Sequence, residues 1–161
     1  MKILVVGDSC LDTFIYGDID RIAPEAPVPV IKPKYKKENG GMAANVVANL
    51  KSLGAEVDLI TNSTLIKKIR FVDERYNQMV LRVDENDFCS RINFKDITFE
   101  GETKSLKTTT LNSEYINKNY NAIVISDYCK GFLEEEDIEK LTKFDIPTFL
   151  DTKKFLGDYC D

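Results

Sequence analysis

Short, unbroken runs of hydrophobic residues lie near both ends of the chain. The first run, Ile3 to Val6, stops at a Gly-Asp pair, and two similar runs come later, Ala122 to Ser126 and Ile146 to Leu150. Short runs rich in β-branched side chains are typical of strands buried on both faces of a parallel sheet. The pattern therefore predicts strands of one parallel sheet at the two ends of the sequence.

Helical spacing is found in two places. Apolar residues at positions 43, 46, 47, 50 and 53 recur with the period of a helix, and Gly54 then supplies a C-terminal stop. Val57 to Thr61 is predicted as the strand to which this helix returns, which gives a βαβ-like unit. Glu134 to Phe144 is acidic first and basic later, and it predicts a second amphipathic helix.

The segments between these elements differ in character. Tyr16-Gly17-Asp18 is predicted as a turn, and three prolines between Ala23 and Val30 forbid a helix and disfavour a central strand. An extended edge ribbon or a flap over a cleft is therefore expected within residues 14–37. Residues 65–72 and 79–84 are predicted as a hairpin around a polar turn. In residues 85–119 apolar and polar residues alternate only partly, and no secondary structure is predicted there.

Composition narrows the classes of function. With 161 residues, 43% hydrophobic and 30% charged, the chain is expected to form a single domain over residues 1–161. The net charge of −5 disfavours nucleic acid or an anionic membrane as a partner. No run is long enough to cross a bilayer, so a cytoplasmic protein is expected. Four dispersed cysteines and the absence of histidine argue against zinc sites, disulfides and imidazole catalysis.

Polar residues that follow the predicted strands are the first candidates for chemistry. Ligands of open α/β sheets bind beyond the carboxyl ends of the strands, where carboxylates accept from sugar hydroxyls and lysines neutralise phosphate. The alternative is that each aspartate only caps the following helix or turn. The candidates are Asp8 and Asp12 after the first strand, Asp127, Tyr128 and Lys130 after the second, and Asp151, Lys153 and Lys154 after the third.

The Gly40-Gly41 pair that opens the first helix is a second candidate. Paired glycines let a ligand approach the backbone and the positive end of the helix, although such a pair also occurs as ordinary punctuation. Asn45, one turn inside, can exchange hydrogen bonds with a hydroxyl. No Rossmann-type or P-loop glycine motif is present. Cys10 and Cys129 are expected to be buried, inert thiols.

Three motifs in register resemble the N-terminal half of the ribokinase-like (PfkB) carbohydrate kinases. Within that family the segment from Arg21 to Val30 is most similar to D-glycero-β-D-manno-heptose 7-phosphate kinases, the kinase part of bifunctional enzymes that make ADP-heptose for lipopolysaccharide. Together with supporting segments around Arg70, Arg82, Lys130 and Lys153, the resemblance covers about two thirds of the chain. The motifs are Val5-Val6-Gly7-Asp8-x-x-Leu11-Asp12, Tyr16-Gly17-Asp18 with Arg21-Ile22-x-Pro24-Glu25-Ala26-Pro27-Val28-Pro29-Val30, and Gly40-Gly41-x-Ala43-Ala44-Asn45-Val46.

The resemblance implies a ribokinase-like (Rossmann-like) α/β fold with a mostly parallel sheet and a small β lid. The lid would comprise about residues 14–37 and 65–84 and would often serve as a dimer interface. The implied reaction transfers the γ-phosphoryl group of ATP, with Mg²⁺, to a sugar or sugar phosphate. The implied substrate contacts are Asp12, Gly40, Gly41 and Asn45 on the sugar, and Arg70, Lys130 or Lys153 on its phosphate, with Asp127 beside them.

The sequence also departs from the family. It contains no Gly-Ala-Gly-Asp, the family's anion-hole motif next to the catalytic Asp, and it omits a helix and strand usual between Thr61 and Ser63. No catalytic or metal residue is therefore assigned, and a truncated kinase that needs a C-terminal ATP-binding half is expected. Two alternatives stay open: a non-catalytic sugar-phosphate-binding or lid-dimerising subunit, and an unrelated small α/β binding domain.

Overall fold

The computed structural model describes residues 1–94 and 113–155. The elements of this described part, in chain order, are β1 (Lys2–Gly7), β2 (Ser9–Ile22), β3 (Pro29–Met42), α1 (Ala43–Ser52), β4 (Glu56–Ile60), β5 (Ile66–Asp73), β6 (Gln78–Glu85), α2 (Ser113–Asn119), β7 (Ala122–Asp127), α3 (Glu135–Thr142) and β8 (Thr148–Thr152).

The first sheet is parallel throughout, in the order β4-β1-β7-β8. Because side chains alternate along β1, Ile3 and Val5 pack on one face against Ala43 of α1. Leu4 and Val6 pack on the opposite face, in the larger core cluster. Both faces of β1 are therefore buried, and the α/β fold class with a parallel sheet is confirmed.

The second sheet has the order β3-β2-β5-β6 and contains both predicted lid segments. β2 pairs antiparallel with β3 and parallel with β5, while β5 and β6 form the predicted hairpin. The segment after the prolines, β3, lies at the edge of this sheet, as expected for a strand that begins at Pro29. β2 follows β1 out of the first sheet, and β3 returns antiparallel to β2 and leads into α1.

Two local predictions are wrong. Residues 16–18 do not form a turn; they continue β2 through a register shift between Tyr16 and Gly17. A Cβ at Gly17 would overlap the Lys32 carbonyl and lie 2.9 Å from the Ile31 side chain, so the glycine serves close packing of two strands. Cys129, expected to be buried, is exposed at a positive φ of 58°.

The region left unassigned, residues 85–119, is described in part. Residues 86–94 place Ile92 in the core, and α2 contributes the buried Ile116. The remainder, residues 95–112, lies outside the described residues. Among the helices that are described, none has the length and apolar character needed to cross a bilayer. The single-domain organisation stays a prediction.

Candidate functional site

The two sheets meet where β1 leads into β2 and β3 leads into α1. Cys10, Met42 and Ile66 form a small buried cluster at this junction, with Cys89 and Tyr128 packed against it. In β2 the side chain two residues beyond Cys10 belongs to Asp12, on the same face of the sheet. The junction therefore brings charged residues of the second sheet next to the loop that follows β7.

Asp12 is held from two sides at this junction. The guanidinium of Arg70, on β5, donates a hydrogen bond to Asp12 Oδ1, and both side chains are largely buried, with 16% of Asp12 and 21% of Arg70 exposed. On the other side, a Cβ at Gly41 would overlap the Asp12 carboxylate and lie 2.6 Å from Cys10 Sγ. Glycine at position 41 therefore lets the carboxylate lie against the backbone of β3.

Helix α1 begins two residues after Gly41. Met42 takes a positive φ of 58°, and the N–H of Ala43 bonds to the Asp8 carbonyl at 2.9 Å, which fixes the start of the helix beside β2. Gly40 and Asn45 are both exposed there. The structure thus places the predicted sugar contacts Asp12, Gly40, Gly41 and Asn45 around the N-terminal end of one helix.

Lys68 lies on the same face of the second sheet as Asp12, and the sequence analysis did not identify it as a site candidate. It is buried, with 9% exposed, and its ammonium lies 5.8 Å from the ring centroid of Tyr128. The predicted candidate Lys153 lies over the same ring at 5.3 Å. The sequence could have indicated Lys68, because Lys68 and Arg70 are two residues apart in a strand and therefore lie on the same face.

Asp8 and Asp127 serve the chain itself. Asp8 is fully buried and accepts the N–H of Tyr128 at 2.6 Å and that of Phe132 at 3.4 Å. Burial raises the pKa of Asp8 despite these bonds. Asp127 has no exposed side-chain surface and accepts from Lys154 at 2.7 Å, so it does not join the Asp12 group. The two carboxylates together fix the loop that carries Tyr128.

The pKa of Asp127 reflects opposing effects. Burial alone would raise this pKa, but hydrogen bonds from Lys154 and from the Thr152 hydroxyl at 2.6 Å outweigh burial and lower it. Asp127 is therefore ionised, and it joins the end of β7 to Thr152 and Lys154.

Lys130 forms an ion pair with Asp87 at 2.6 Å. That pair ties the loop after β7 to the residues that follow β6. Asp151 of β8 is exposed. Arg82, two strands from Asp12, donates hydrogen bonds to Asp84 at 2.7 and 2.5 Å. Of the predicted phosphate contacts, Arg70 and Lys130 thus already face a carboxylate.

In residues 1–94 and 113–155, no group of three cysteine, aspartate or glutamate side chains converges to hold a metal ion. The acidic residues near the junction bond to arginine, lysine or backbone N–H groups instead.

Comparisons with known sequences give consistent relatives. The "Bifunctional protein HldE" of Vibrio vulnificus strain YJ016 is 31% identical over 170 residues, which cover 94% of this chain and 35% of the relative. The protein of the same name from Campylobacter jejuni strain RM1221 is 34% identical over 177 residues, with 94% and 36% covered. The chain thus spans about a third of the length of these relatives. No family model matches.

The chain also has weak structural similarity to solved kinase structures. The tetrameric inhibited form of phosphofructokinase-2 from Escherichia coli matches with a TM-score of 0.44 and 14% identity, over 94% of this chain and 54% of that one. The ribokinase from Cryptococcus neoformans in complex with ADP matches with a TM-score of 0.35 and 11% identity, over 77% and 40%.

Proposed function

We propose that this chain is the sugar-binding part of a ribokinase-like (PfkB) carbohydrate kinase whose substrate is a heptose 7-phosphate. The whole enzyme would transfer the γ-phosphoryl group of ATP to the sugar. The similarity to HldE proteins over 94% of the chain supports the assignment. The three motifs of the N-terminal half support it independently of overall identity.

The placement of Asp12 is the observation that carries the proposal. A carboxylate offers about four lone-pair positions for hydrogen bonds, and Arg70 occupies only one oxygen. The second oxygen lies against Gly41, next to the start of α1, where polar ligand groups also meet free N–H groups. Asp12 can therefore accept hydrogen bonds from adjacent hydroxyls of a sugar while Arg70 holds it in place.

ATP and Mg²⁺ are implied by the family, but the described residues do not fit them. Residues 1–161 contain no Gly-Ala-Gly-Asp, and the acidic residues at the junction already have basic or backbone partners. When bound, ATP would supply the phosphoryl group and Mg²⁺ would neutralise its charge. We assign to this chain only the binding and orientation of the sugar, and we assign the nucleotide to a complementing C-terminal half.

The second sheet offers a surface for a second copy of the chain. Its face opposite Asp12 carries Leu11, Ile15 and Phe71, the exposed Leu81 and Val83 on the outer strand, and the Lys67–Glu85 ion pair. Exposed apolar sheet faces of this kind are typical of protein interfaces. We propose a homodimer through this face, as expected for the lid.

A second candidate function is a non-catalytic subunit that binds sugar phosphate or dimerises through the lid. The ion pairs that already engage Asp12 with Arg70 and Asp127 with Lys154 favour it. An assay that couples ATP consumption to heptose 7-phosphate separates the two hypotheses. Activity that appears only with a co-expressed neighbouring reading frame supports the kinase, and no activity under either condition supports the binding subunit.

Isothermal titration with D-glycero-β-D-manno-heptose 7-phosphate tests the sugar site directly. We expect Asp12→Ala to weaken binding at least about tenfold, since a hydrogen bond to a charged group contributes about 1.5–3 kcal/mol. Asp20→Ala is the matched control, because Asp20 lies on the same strand but pairs with Lys32 at 2.6 Å on the surface. Unchanged affinity in a folded Asp12→Ala protein would reject the proposed role of Asp12.

A further inference from the structure

On the face of the second sheet that carries Asp12, four charged side chains form two ion pairs, Asp12 with Arg70 and Asp84 with Arg82. In the register of the sheet, Lys68 lies between Asp12 on β2 and Asp84 on β6. Arg70 takes the carboxylate of Asp12, and Arg82 takes both oxygens of Asp84 at 2.7 and 2.5 Å. The two carboxylates nearest to Lys68 are therefore engaged by arginines.

Lys68 is buried and forms no ion pair or side-chain hydrogen bond with the other described residues. It has 9% of its surface exposed, and none of the ion pairs or side-chain hydrogen bonds among residues 1–94 and 113–155 includes it. Its cross-strand neighbours Asp12 and Asp84 are bonded to arginines, and its ammonium lies 5.8 Å from the centroid of the Tyr128 ring. Burial of an ammonium group is costly unless an anion compensates it.

Lys153 brings a second unpaired ammonium to the same ring, at 5.3 Å, from the end of the other sheet. In the part of the chain that the structure describes, this residue also lacks a carboxylate partner. The neighbouring lysines differ: Lys130 is paired with Asp87 at 2.6 Å and Lys154 with Asp127 at 2.7 Å. Two positive charges thus remain around Tyr128 after all the pairs are formed.

We infer that Lys68 and Lys153, together with the ring of Tyr128, form the subsite for the phosphate monoester of the sugar ligand. The inference deepens the proposed function and rests on it. It transfers the phosphate contact from Arg70 and Lys130, which already have carboxylate partners, to the two lysines that have none. Arg70 then acts as a positioning residue for Asp12.

The chemistry of the group fits a phosphate better than a neutral ligand. A phosphate monoester carries a charge of about −1.5 to −2 at neutral pH and accepts several hydrogen bonds. Such a group can compensate both ammonium groups, and the bond from the Tyr128 N–H to Asp8 at 2.6 Å holds the ring between the sheets. The subsite therefore selects phosphorylated over unphosphorylated sugar, while Asp12 binds hydroxyls of either.

Calorimetric titration with paired ligands tests this assignment. The ligands are D-glycero-β-D-manno-heptose 7-phosphate, the same heptose without phosphate, and ADP as a nucleotide probe. The variants are Lys68→Met and Lys153→Met, which remove the charge but keep most of the stem. Lys67→Met is the matched control, because Lys67 points to the opposite face of β5 and pairs with Glu85 at 3.5 Å.

We expect the wild-type protein to bind the phosphorylated heptose at least about tenfold more tightly than the unphosphorylated one. Each site variant should reduce this preference about tenfold or more and leave the affinity for unphosphorylated heptose within about twofold. Lys67→Met should change neither affinity. If Lys68→Met does not fold, Lys153→Met decides, because its exposed side chain is not needed for packing.

Other outcomes overturn the inference. Equal wild-type affinities for the two heptoses, or a loss in both variants that is the same for both heptoses, would reject the phosphate subsite and leave the sugar site standing. A loss confined to ADP would assign the lysines to the nucleotide instead. No binding of either heptose to the wild-type protein would reject the proposed function itself, and the subsite with it.

Discussion

At the scale of single residues, the candidate site depends on close approach between a carboxylate and a glycine. Asp12 lies against Gly41, and Arg70 holds it from the opposite side. Asp12 cannot easily move away from either partner, because Gly41 and Arg70 lie on the two strands that pair with its own strand. Adding one methyl group at position 41 should therefore lower the affinity for the ligand.

Gly41→Ala tests this geometry. The added Cβ would overlap the Asp12 carboxylate, so Asp12 must move, and we expect ligand affinity to fall by about tenfold and stability by about 1–3 kcal/mol. Calorimetry and urea denaturation measure the two effects. Gly54→Ala is the control, since nothing lies within 4 Å of a Cβ added at position 54. The φ of +84° at this position should make the substitution cost about 1 kcal/mol of stability without an effect on affinity.

The sequence locates most of the candidate residues but does not reveal their orientation. The rule that polar residues follow strands finds Asp12 and Asp127 equally well, yet Asp127 points inward to Lys154. Lys68 was missed because its strand, Ile66–Asp73, has no clean alternation of polar and apolar residues. Which charges are already neutralised depends on pairing between distant strands, and spacing along the chain does not encode it.

At the scale of elements, an ion pair joins α3 to the segment after β6. Arg91 donates to Asp137 at 2.6 and 3.0 Å, and Asp137 also accepts the Glu134 N–H at 3.0 Å at the start of the helix. Burial alone would raise the pKa of Asp137, but the bonds from Arg91 and Glu134 outweigh burial and lower it. The ionised form of Asp137 therefore stabilises this contact.

Acid should weaken this contact in a defined direction. Because the folded-state pKa of Asp137 lies below 3.8, its contribution is present above that pH and is lost as the pH falls through the lowered value. We expect Asp137→Asn to cost about 1–3 kcal/mol at pH 7 and to flatten the fall of stability below pH 4. Urea denaturation at pH 7, 5 and 3 measures both.

Glu136→Gln is the matched control for that series. Glu136 contacts the same Arg91 at 3.1 Å but has 75% of its side chain exposed, so its loss should change stability by less than about 0.5 kcal/mol. If both variants lose the same stability at pH 7, the buried position of Asp137 is not what stabilises α3.

The elements themselves were largely predictable, and the misses have physical causes. Continuous apolar runs gave β1, β7 and β8, and helical spacing gave α1 with Gly54 after its end. The turn predicted at residues 16–18 was wrong because glycine has two uses, a turn and close contact between strands. Only the pairing of β2 with β3 distinguishes them.

At the scale of the whole molecule, the second sheet has two unlike faces. One face carries Asp12, Lys68 and Arg70, and the other carries apolar side chains up to Leu81, 54% exposed, beside the Lys67–Glu85 ion pair. Strand alternation ties the two faces together, since β2 contributes to both. The proposed dimer would cover the apolar face and leave the charged face to the ligand.

Leu81→Asp tests the proposed dimer. We expect the wild-type protein to sediment as a dimer and the variant as a monomer, because a charge in an apolar interface is left without a partner. Leu53→Asp is the control; Leu53 is 83% exposed just after α1 and should leave the dimer intact. A monomeric wild-type protein at tens of micromolar concentration would contradict the dimer.

The order of strands in the first sheet also determines when each neighbour of β1 becomes available during translation. Ile3 of β1 pairs with Ala122 of β7, whereas β4 and the whole second sheet are complete by Glu85. A ribosome adding about 5–20 residues per second leaves one edge of β1 open for several seconds after translation begins. Open strand edges can pair with other chains, so the β1 edge that β7 later covers is exposed to aggregation until β7 has been synthesised.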